Sequence, residues 1–335
     1  MKHANVAIFV PHNGCPHRCS FCNQRSITGQ SVQPKPEDVR RAAQTAIASL
    51  GEETKNAEIA FFGGSFTAIE HDYMVSLLEA AAPYAKDHTF SGIRISTRPD
   101  AIDQNILNIL KSYGVTSIEL GAQSMNDTVL RKNSRGHTAE QVRIACELIR
   151  SNGFSLGLQM MTGLYGDTVQ GAMDTAREIA ALNPQTVRIY PTVIMRGTEL
   201  GEKYLSGEFD TFDLEETVRL CADLLDFFEE QGISVIRLGL HSSPELERDM
   251  LSGPWHPAFR QLCESRRMLR KITDSLVNKQ IPKGQILIKI HPEDISTVIG
   301  QRKSGLAELH TLGYEAKVVP DPSVPREDFI ILQIG

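Results

Sequence analysis

The chain has 335 residues, 41% of them apolar and 23% charged, with a formal net charge of -6. That balance fits a globular protein with one large domain and a smaller one, and it argues against a surface coated in basic groups while leaving room for a local basic patch. No run approaches the ~18 uninterrupted apolar residues of a membrane span and no signal-peptide cleavage region precedes the first motif, so the expected setting is the cytoplasm, without a membrane partner.

Residues 6–10 (VAIFV) read as a buried strand that runs straight into GCPHRCSFC, which sets Cys15, Cys19 and Cys22 at C-x3-C-x2-C spacing. Three thiolates this close can grip one compact inorganic centre. A cubane of four irons needs four ligands, so three cysteines leave one iron open to a group that is not protein. Zinc is the competing reading, with His12 or His17 completing a Cys3His tetrahedron. The other cysteines, Cys146, Cys221 and Cys263, stand singly in helical patterns and read as small buried hydrophobes.

Strand and helix then alternate. The spacing predicts a helix over 37–50, a strand over 59–62 ending in Gly63-Gly64-Ser65, a helix over 71–85, and a strand over 93–97 closed by Arg98-Pro99-Asp100. A helix over 102–113, a strand over 117–121, a helix over 139–151, a strand over 155–161, a helix over 169–182 and a strand over 186–190 follow. Six strands separated by helices imply parallel pairing through right-handed crossovers, and thus a doubly wound sheet or a barrel. Each distinctive motif falls just past the carboxyl end of its strand, which in a parallel barrel is a single mouth. A further helix over 214–228 and strand over 234–240 precede Pro244, Gly253, Pro254 and Pro257, where the texture changes and a boundary is expected near residue 244.

In this order GCPHRCSFCN, FFGGSFTA, STRPD, ELGAQS, RGHT, MMTGLYGDT, RIYPT and GPWHPAFR resemble the radical S-adenosylmethionine (SAM) enzymes, in the branch typified by the catalytic subunit of Elongator, a tRNA wobble-uridine modifier. The likeness to oxygen-independent coproporphyrinogen oxidase is more distant. The resemblance implies a parallel (β/α)6 partial TIM barrel in which Cys15, Cys19 and Cys22 hold a 4Fe-4S cluster whose open iron chelates SAM. It further implies that Gly63, Gly64 and Ser65 meet the SAM amino group through backbone atoms, where only a residue without Cβ lets a ligand come so close. Gln123 and Arg135 match residues that hold the polar end of SAM, a guanidinium being suited to fork onto a carboxylate. Ser96 stands where both families carry a glutamate, and Gln159 replaces an aspartate of the porphyrinogen oxidases. His137 is expected to touch substrate or cap the helix that follows it, and Glu119 to face the barrel interior or serve as a structural ion pair. The acetyltransferase domain of the Elongator branch is not expected here.

Between Glu264 and Lys289 seven basic residues (Arg266, Arg267, Arg270, Lys271, Lys279, Lys283 and Lys289) face only Glu264 and Asp274. Beyond them a strand over 286–290, helices over 292–299 and 304–312, and strands over 315–319 and 329–334 follow a β-α-α-β order. With Val-Ile-Gly at the turn, this α/β module resembles the KH RNA-binding fold, whose GXXG loop clamps nucleic acid backbone; Lys303 occupies the second glycine position. The expected organisation is therefore a partial barrel over 1–243, a basic helical connector over 244–283 and a KH-like module over 284–335. The expected activity is reductive cleavage of SAM to a 5'-deoxyadenosyl radical, served by an unidentified electron donor, for modification of tRNA or another RNA. A small-molecule substrate such as a porphyrinogen, and a zinc-stabilised RNA-binding protein without catalysis, are the rivals.

Overall fold

The computed structural model describes residues 4–11, 19–23 and 32–334. Seven parallel strands follow one another across a single sheet: β1 (Ala4–Val10), β2 (Ala57–Gly63), β3 (Gly92–Thr97), β4 (Val115–Gln123), β5 (Ser155–Thr162), β6 (Thr186–Pro191) and β7 (Ser234–Leu238). Helices α1 (Pro36–Leu50), α2 (His71–Lys86), α3 (Gln104–Ser112), α4 (Ala139–Ser151), α5 (Val169–Ala181) and α6 (Leu214–Glu230) lie between successive strands. The sheet curls into a half-barrel, which is the expected partial barrel with a seventh strand added at the β6 edge.

Alternation along the strands explains the two faces. Ile59 and Phe61, Ile93 and Ile95, Ile118 and Leu120, Leu156 and Leu158, and Val187 and Ile189 are all buried, and they form the outward apolar face that the helices cover. The helices supply matching stripes, among them Met74, Leu77 and Leu78 on α2 and Val142, Cys146 and Ile149 on α4.

The opposite face is polar and carries a row of ion pairs. Arg94 on β3 donates from Nε to Glu58 Oε2 on β2 at 2.6 Å and from Nη1 to Glu119 Oε1 on β4 at 3.1 Å. Arg188 on β6 donates to the same Glu119 carboxylate through Nε (2.7 Å) and Nη2 (2.9 Å). To do so it reaches past the intervening β5, where Gln159 is in register with it. Gly157, in register with Glu119, leaves room for that side chain: a Cβ there would lie 2.9 Å from Glu119 Cγ and from Thr186 Oγ1. Glu119 is thus the structural ion pair expected, with 1% of its side chain exposed.

Two compact units emerge from the contacts: residues up to Asp213 together with Phe228–Trp255, and Leu214–Phe227 together with residues from His256 onward. The short helix Pro244–Asp249 and the ribbon of Ile194–Met195 with Met250–Ser252 belong to the first unit. In the second, helix α7 (Phe259–Asn278) precedes β8 (Gly284–Ile290), α8 (Ile295–Ile299), α9 (Ser304–Thr311), β9 (Tyr314–Pro320) and β10 (Phe329–Gln333). The central strand β8 pairs parallel with β9 and antiparallel with β10. Met268, Leu269, Ile272 and Leu276 of α7 pack with Ile286, Ile288, Ile290, Val298 and Leu309, so the helix supplies part of the module's core. Much of the basic charge of this helix is spent within the unit: Arg267 pairs with Asp226, Arg270 with Asp223 and Asp226, and Arg266 with Glu308. Among the described residues no helix is long and apolar enough to cross a membrane.

Because Arg94 and Arg188 converge on one carboxylate away from water, Glu119→Ala leaves two buried cations without their shared partner. The expected loss is about 3–5 kcal/mol of unfolding free energy, measured by urea denaturation.

Candidate active site

The site is built from the carboxyl ends of β1 to β5. Beyond Val10 the thiol loop returns to the described structure at Cys19, and Cys22 N donates to Cys19 O at 3.0 Å in a tight turn. Both side chains are partly exposed. Cys15, the third expected ligand, and His12 and His17 lie outside the described residues. Ser20, between the two described cysteines, is buried and fastened twice to Asn133, by Ser20 N to Asn133 O (3.1 Å) and Ser20 Oγ to Asn133 Oδ1 (2.9 Å). The Asn133 amide in turn donates to Val129 O (2.8 Å) and Tyr165 O (3.0 Å), and Leu200 N donates to Ser20 O (2.9 Å). Sequence reasoning passed over Asn133; its signal is its place two residues before Arg135.

At the end of β2, Gly63 adopts φ +119° and a Cβ there would lie 2.7 Å from Val10 O, so the ends of β1 and β2 close together only because this residue is glycine. Gly64 N donates to Val10 O at 3.0 Å. Ser65 is buried and turns its hydroxyl to Thr97 Oγ1 (2.8 Å) while accepting from Arg98 N (3.2 Å). Thr67 joins the same latch through Thr97 Oγ1 and Ala101 O, both at 2.6 Å. The Ser65 side chain therefore ties β2 to β3.

Ser96 and Gln159 gather around Glu119. Gln159 Nε2 donates to Glu119 Oε2 (3.0 Å) and to Ser96 Oγ (3.3 Å), and Ser96 is in register with Glu119 on the neighbouring strand. The carboxylate next to Ser96 is thus Glu119, already engaged by Arg94 and Arg188. Arg188 was not foreseen; its guanidinium also lies 5.0 Å from the centre of the Phe62 ring. Farther along, burial first, then Arg237 and Arg188, push the His241 imidazole below its ordinary range.

Gln123 and Arg135 meet over Gly121, whose ideal Cβ would be 2.9 Å from Gln123 Nε2 and 3.4 Å from Arg135 Nη2. Gln123 closes β4 in the left-handed region (φ +67°), a strained position for a side-chain-bearing residue and one that marks functional sites. Arg135 is buried and donates from Nη1 to Cys19 Sγ at 3.0 Å and from Nη2 to Gly121 O at 2.6 Å. Arg98, held by a two-bond fork to Asp100 (2.8 and 2.9 Å), donates to Arg135 O at 2.5 Å, so the Arg-Pro-Asp motif positions the Arg135 loop. His137 is buried with Nε2 against Ala122 O (3.2 Å), and burial, then Arg135 and Arg98, bring its imidazole down from 6.5 to about 4. The helix cap expected of it is made instead by Thr138 with Gln141.

Buried polar atoms here without a hydrogen-bond partner among the described residues include Gln123 Oε1, Arg135 Nε and His137 Nδ1. Buried acceptors and donors are nearly always paired, so an unmet acceptor and an unmet donor beside a thiol fit a polar ligand. The amino and carboxylate groups of SAM have that character, and the thiols suit iron. The residues present fit both cofactors.

Residues 9–179 match the model of the Radical SAM superfamily, and 184–271 that of the Radical_SAM C-terminal domain. An uncharacterized protein of Methanocaldococcus jannaschii is 26% identical over 242 residues, covering 71% of each chain. A tRNA uridine(34) acetyltransferase of Methanocaldococcus infernus is 26% identical over 258 residues, covering 65% of this chain and 48% of that one, so the chain spans about half of that relative's length. The archaeal Elp3 structure from Methanocaldococcus infernus superposes with a TM-score of 0.57 at 18% identity, over 88% of this chain and 66% of that one. That likeness concerns the fold.

Two outcomes follow from this geometry. Gly63→Ala is expected to destabilise the barrel by about 1–3 kcal/mol, seen as a lower urea midpoint, since the methyl meets a backbone carbonyl in a left-handed conformation. His137, neutral when folded, takes up a proton more readily in the unfolded chain. Its contribution to stability is complete above about 6.5 and is lost as the pH falls towards 4. His137→Gln is therefore expected to flatten the dependence of the urea midpoint on pH across that window.

Proposed function

The chain belongs to the radical SAM superfamily, whose cofactors are a 4Fe-4S cluster and SAM, and from that premise we propose that it is an enzyme that modifies tRNA. The observation that carries the catalytic half of this reading is the meeting of Cys19, Gln123 and Arg135 at the strand ends, with two unmet buried polar atoms among them. In this reading Cys15, Cys19 and Cys22 hold the cluster, the backbone of Gly63 and Gly64 receives the SAM amino group, and Gln123 binds its polar end. Bound there, the two cofactors supply a 5'-deoxyadenosyl radical able to take hydrogen from an unactivated C–H bond. The chain's own part is to orient and to exclude water. Ser96, Gln159 and Glu119 form a fixed polar wall, and the Arg94 and Arg188 pairs hold that wall rigid across four strands.

The RNA half rests on the activity for which the archaeal relative is named and on the C-terminal module. After Gly300 (φ +71°) the backbone stays left-handed at Arg302 (φ +50°) and Lys303 (φ +64°), which sets both cations on an exposed turn before α9. A groove of about 570 Å³ opens beside them, lined also by His310 and Lys317. Positive charge at a tight turn along an open groove suits a phosphodiester backbone. Such an enzyme would act in the cytoplasm with a low-potential electron donor.

Anaerobically reconstituted protein is expected to hold iron and sulfide in equal amounts, about four of each per chain, and to form 5'-deoxyadenosine from SAM on reduction. Cys19→Ala and Cys22→Ala should abolish both. Zinc alone, without iron, would favour the non-catalytic rival. Binding of tRNA should weaken with salt, and the double variant Arg302→Glu, Lys303→Glu should lower the log–log salt slope by about 1–2. An unchanged slope would remove the module from RNA recognition.

A further inference from the structure

Arg135 matches the position expected to clamp the SAM carboxylate, but its hydrogen bonds run elsewhere. Nη1 donates to Cys19 Sγ (3.0 Å) and Nη2 to Gly121 O (2.6 Å), which aims the guanidinium at the thiol loop. Each terminal nitrogen thus spends one of its N–H groups inside the protein, and Nε has no partner among the described residues.

Several features hold the guanidinium in that orientation. Arg135 N donates to Leu130 O (3.1 Å), and Arg98 clamps Arg135 O from the other side. Ser134 (φ +53°) and Gly136 (φ +73°) bend the chain on either side of it. Asn133, two residues upstream, is bonded to Ser20, the neighbour of Cys19. The loop that carries the guanidinium and the loop that carries the thiol are thereby fixed to each other at backbone level, independently of the contact between Arg135 and Cys19.

We infer that Arg135 is a positioning residue for the cluster: its guanidinium donates a hydrogen bond to the Cys19 thiolate and raises the reduction potential of the centre that this sulfur ligates. Resting on the cluster assignment made above, the argument is electrostatic. A hydrogen bond to a ligating sulfur draws electron density from it, and a fixed cation beside the cluster stabilises the form that carries the added electron. The guanidinium keeps its charge at all working pH values, so the effect is constant. Burial strengthens it, because the interaction is poorly screened by water. Gln123 Oε1, without a partner among the described residues, is placed to accept from the SAM amino group.

The test compares reconstituted wild type with Arg135→Met and Arg135→Lys, by an EPR-monitored redox titration without SAM and by equilibrium dialysis of SAM. Arg135→Met is expected to shift the cluster midpoint to a more negative potential, and Arg135→Lys, which keeps a charge and a donor, to shift it less. SAM affinity reports separately on any contact that Nε makes with the cofactor. A midpoint identical to wild type in both variants, with SAM bound about tenfold or more weakly, would overturn the inference and restore Arg135 as a carboxylate clamp. Should Arg135→Met fail to load iron, Arg135→Lys alone decides: a shifted midpoint supports the inference and an unchanged one refutes it. Wild-type protein that takes up no iron would instead overturn the cluster assignment beneath it, a result distinguishable from either.

Discussion

One carboxylate holds the half-barrel's interior together. Glu119 has almost no contact with water and accepts three hydrogen bonds from two arginines, Arg94 on one side and Arg188 on the other, with Gln159 adding a further donor. Taking three charges out of water is costly, and the cost is met only when their geometry is good and their lone pairs are filled. That requirement ties β3, β4 and β6 into one register and explains Gly157, which leaves room for the Glu119 side chain beside it. A parallel sheet with an apolar outer face would fold without such a network. What the network adds is a rigid polar floor beneath the strand ends where the thiols, Gly63 and Arg135 are presented.

The motifs around that floor divide their labour. Ser65, Thr67 and Thr97 lash neighbouring strand ends together, and the fork of Arg98 on Asp100 supports the backbone of Arg135. Asn133 does for the thiol loop what Arg98 does for the arginine loop. Of the residues expected to contact cofactor, Ser96 and Gln159 are bonded into the Glu119 network, whereas Gln123 and Arg135 retain unmet polar atoms. A signature stretch in this protein is thus more often a brace than a ligand, which is reasonable where a reactive radical must be confined within a fixed geometry.

Much of this was legible from residue order. Alternation and spacing gave the strands and helices because each strand buries one face against helices and each helix carries one apolar stripe, and the strand-end motifs fall where a parallel sheet must put them. Three things were not legible. The partners of Arg94, Glu119 and Arg188 depend on which strands become neighbours, which a local pattern does not reveal. The basic stretch after Glu264 looked like a nucleic-acid surface, yet Arg266, Arg267 and Arg270 are answered by Glu308, Asp223 and Asp226 from distant parts of the chain. And the pairing of Asn133 with Ser20 spans more than a hundred residues, beyond the reach of any periodicity.

The central claim is that this mouth holds an iron cubane on three sulfurs, with one corner open to SAM. Anomalous diffraction from an anaerobic crystal soaked with SAM, recorded at the iron and zinc edges, addresses it most directly. The account predicts iron alone, ligated by the sulfurs of Cys15, Cys19 and Cys22, with SAM on the fourth corner within reach of Gln123. A single zinc ion completed by His12 or His17 would contradict it.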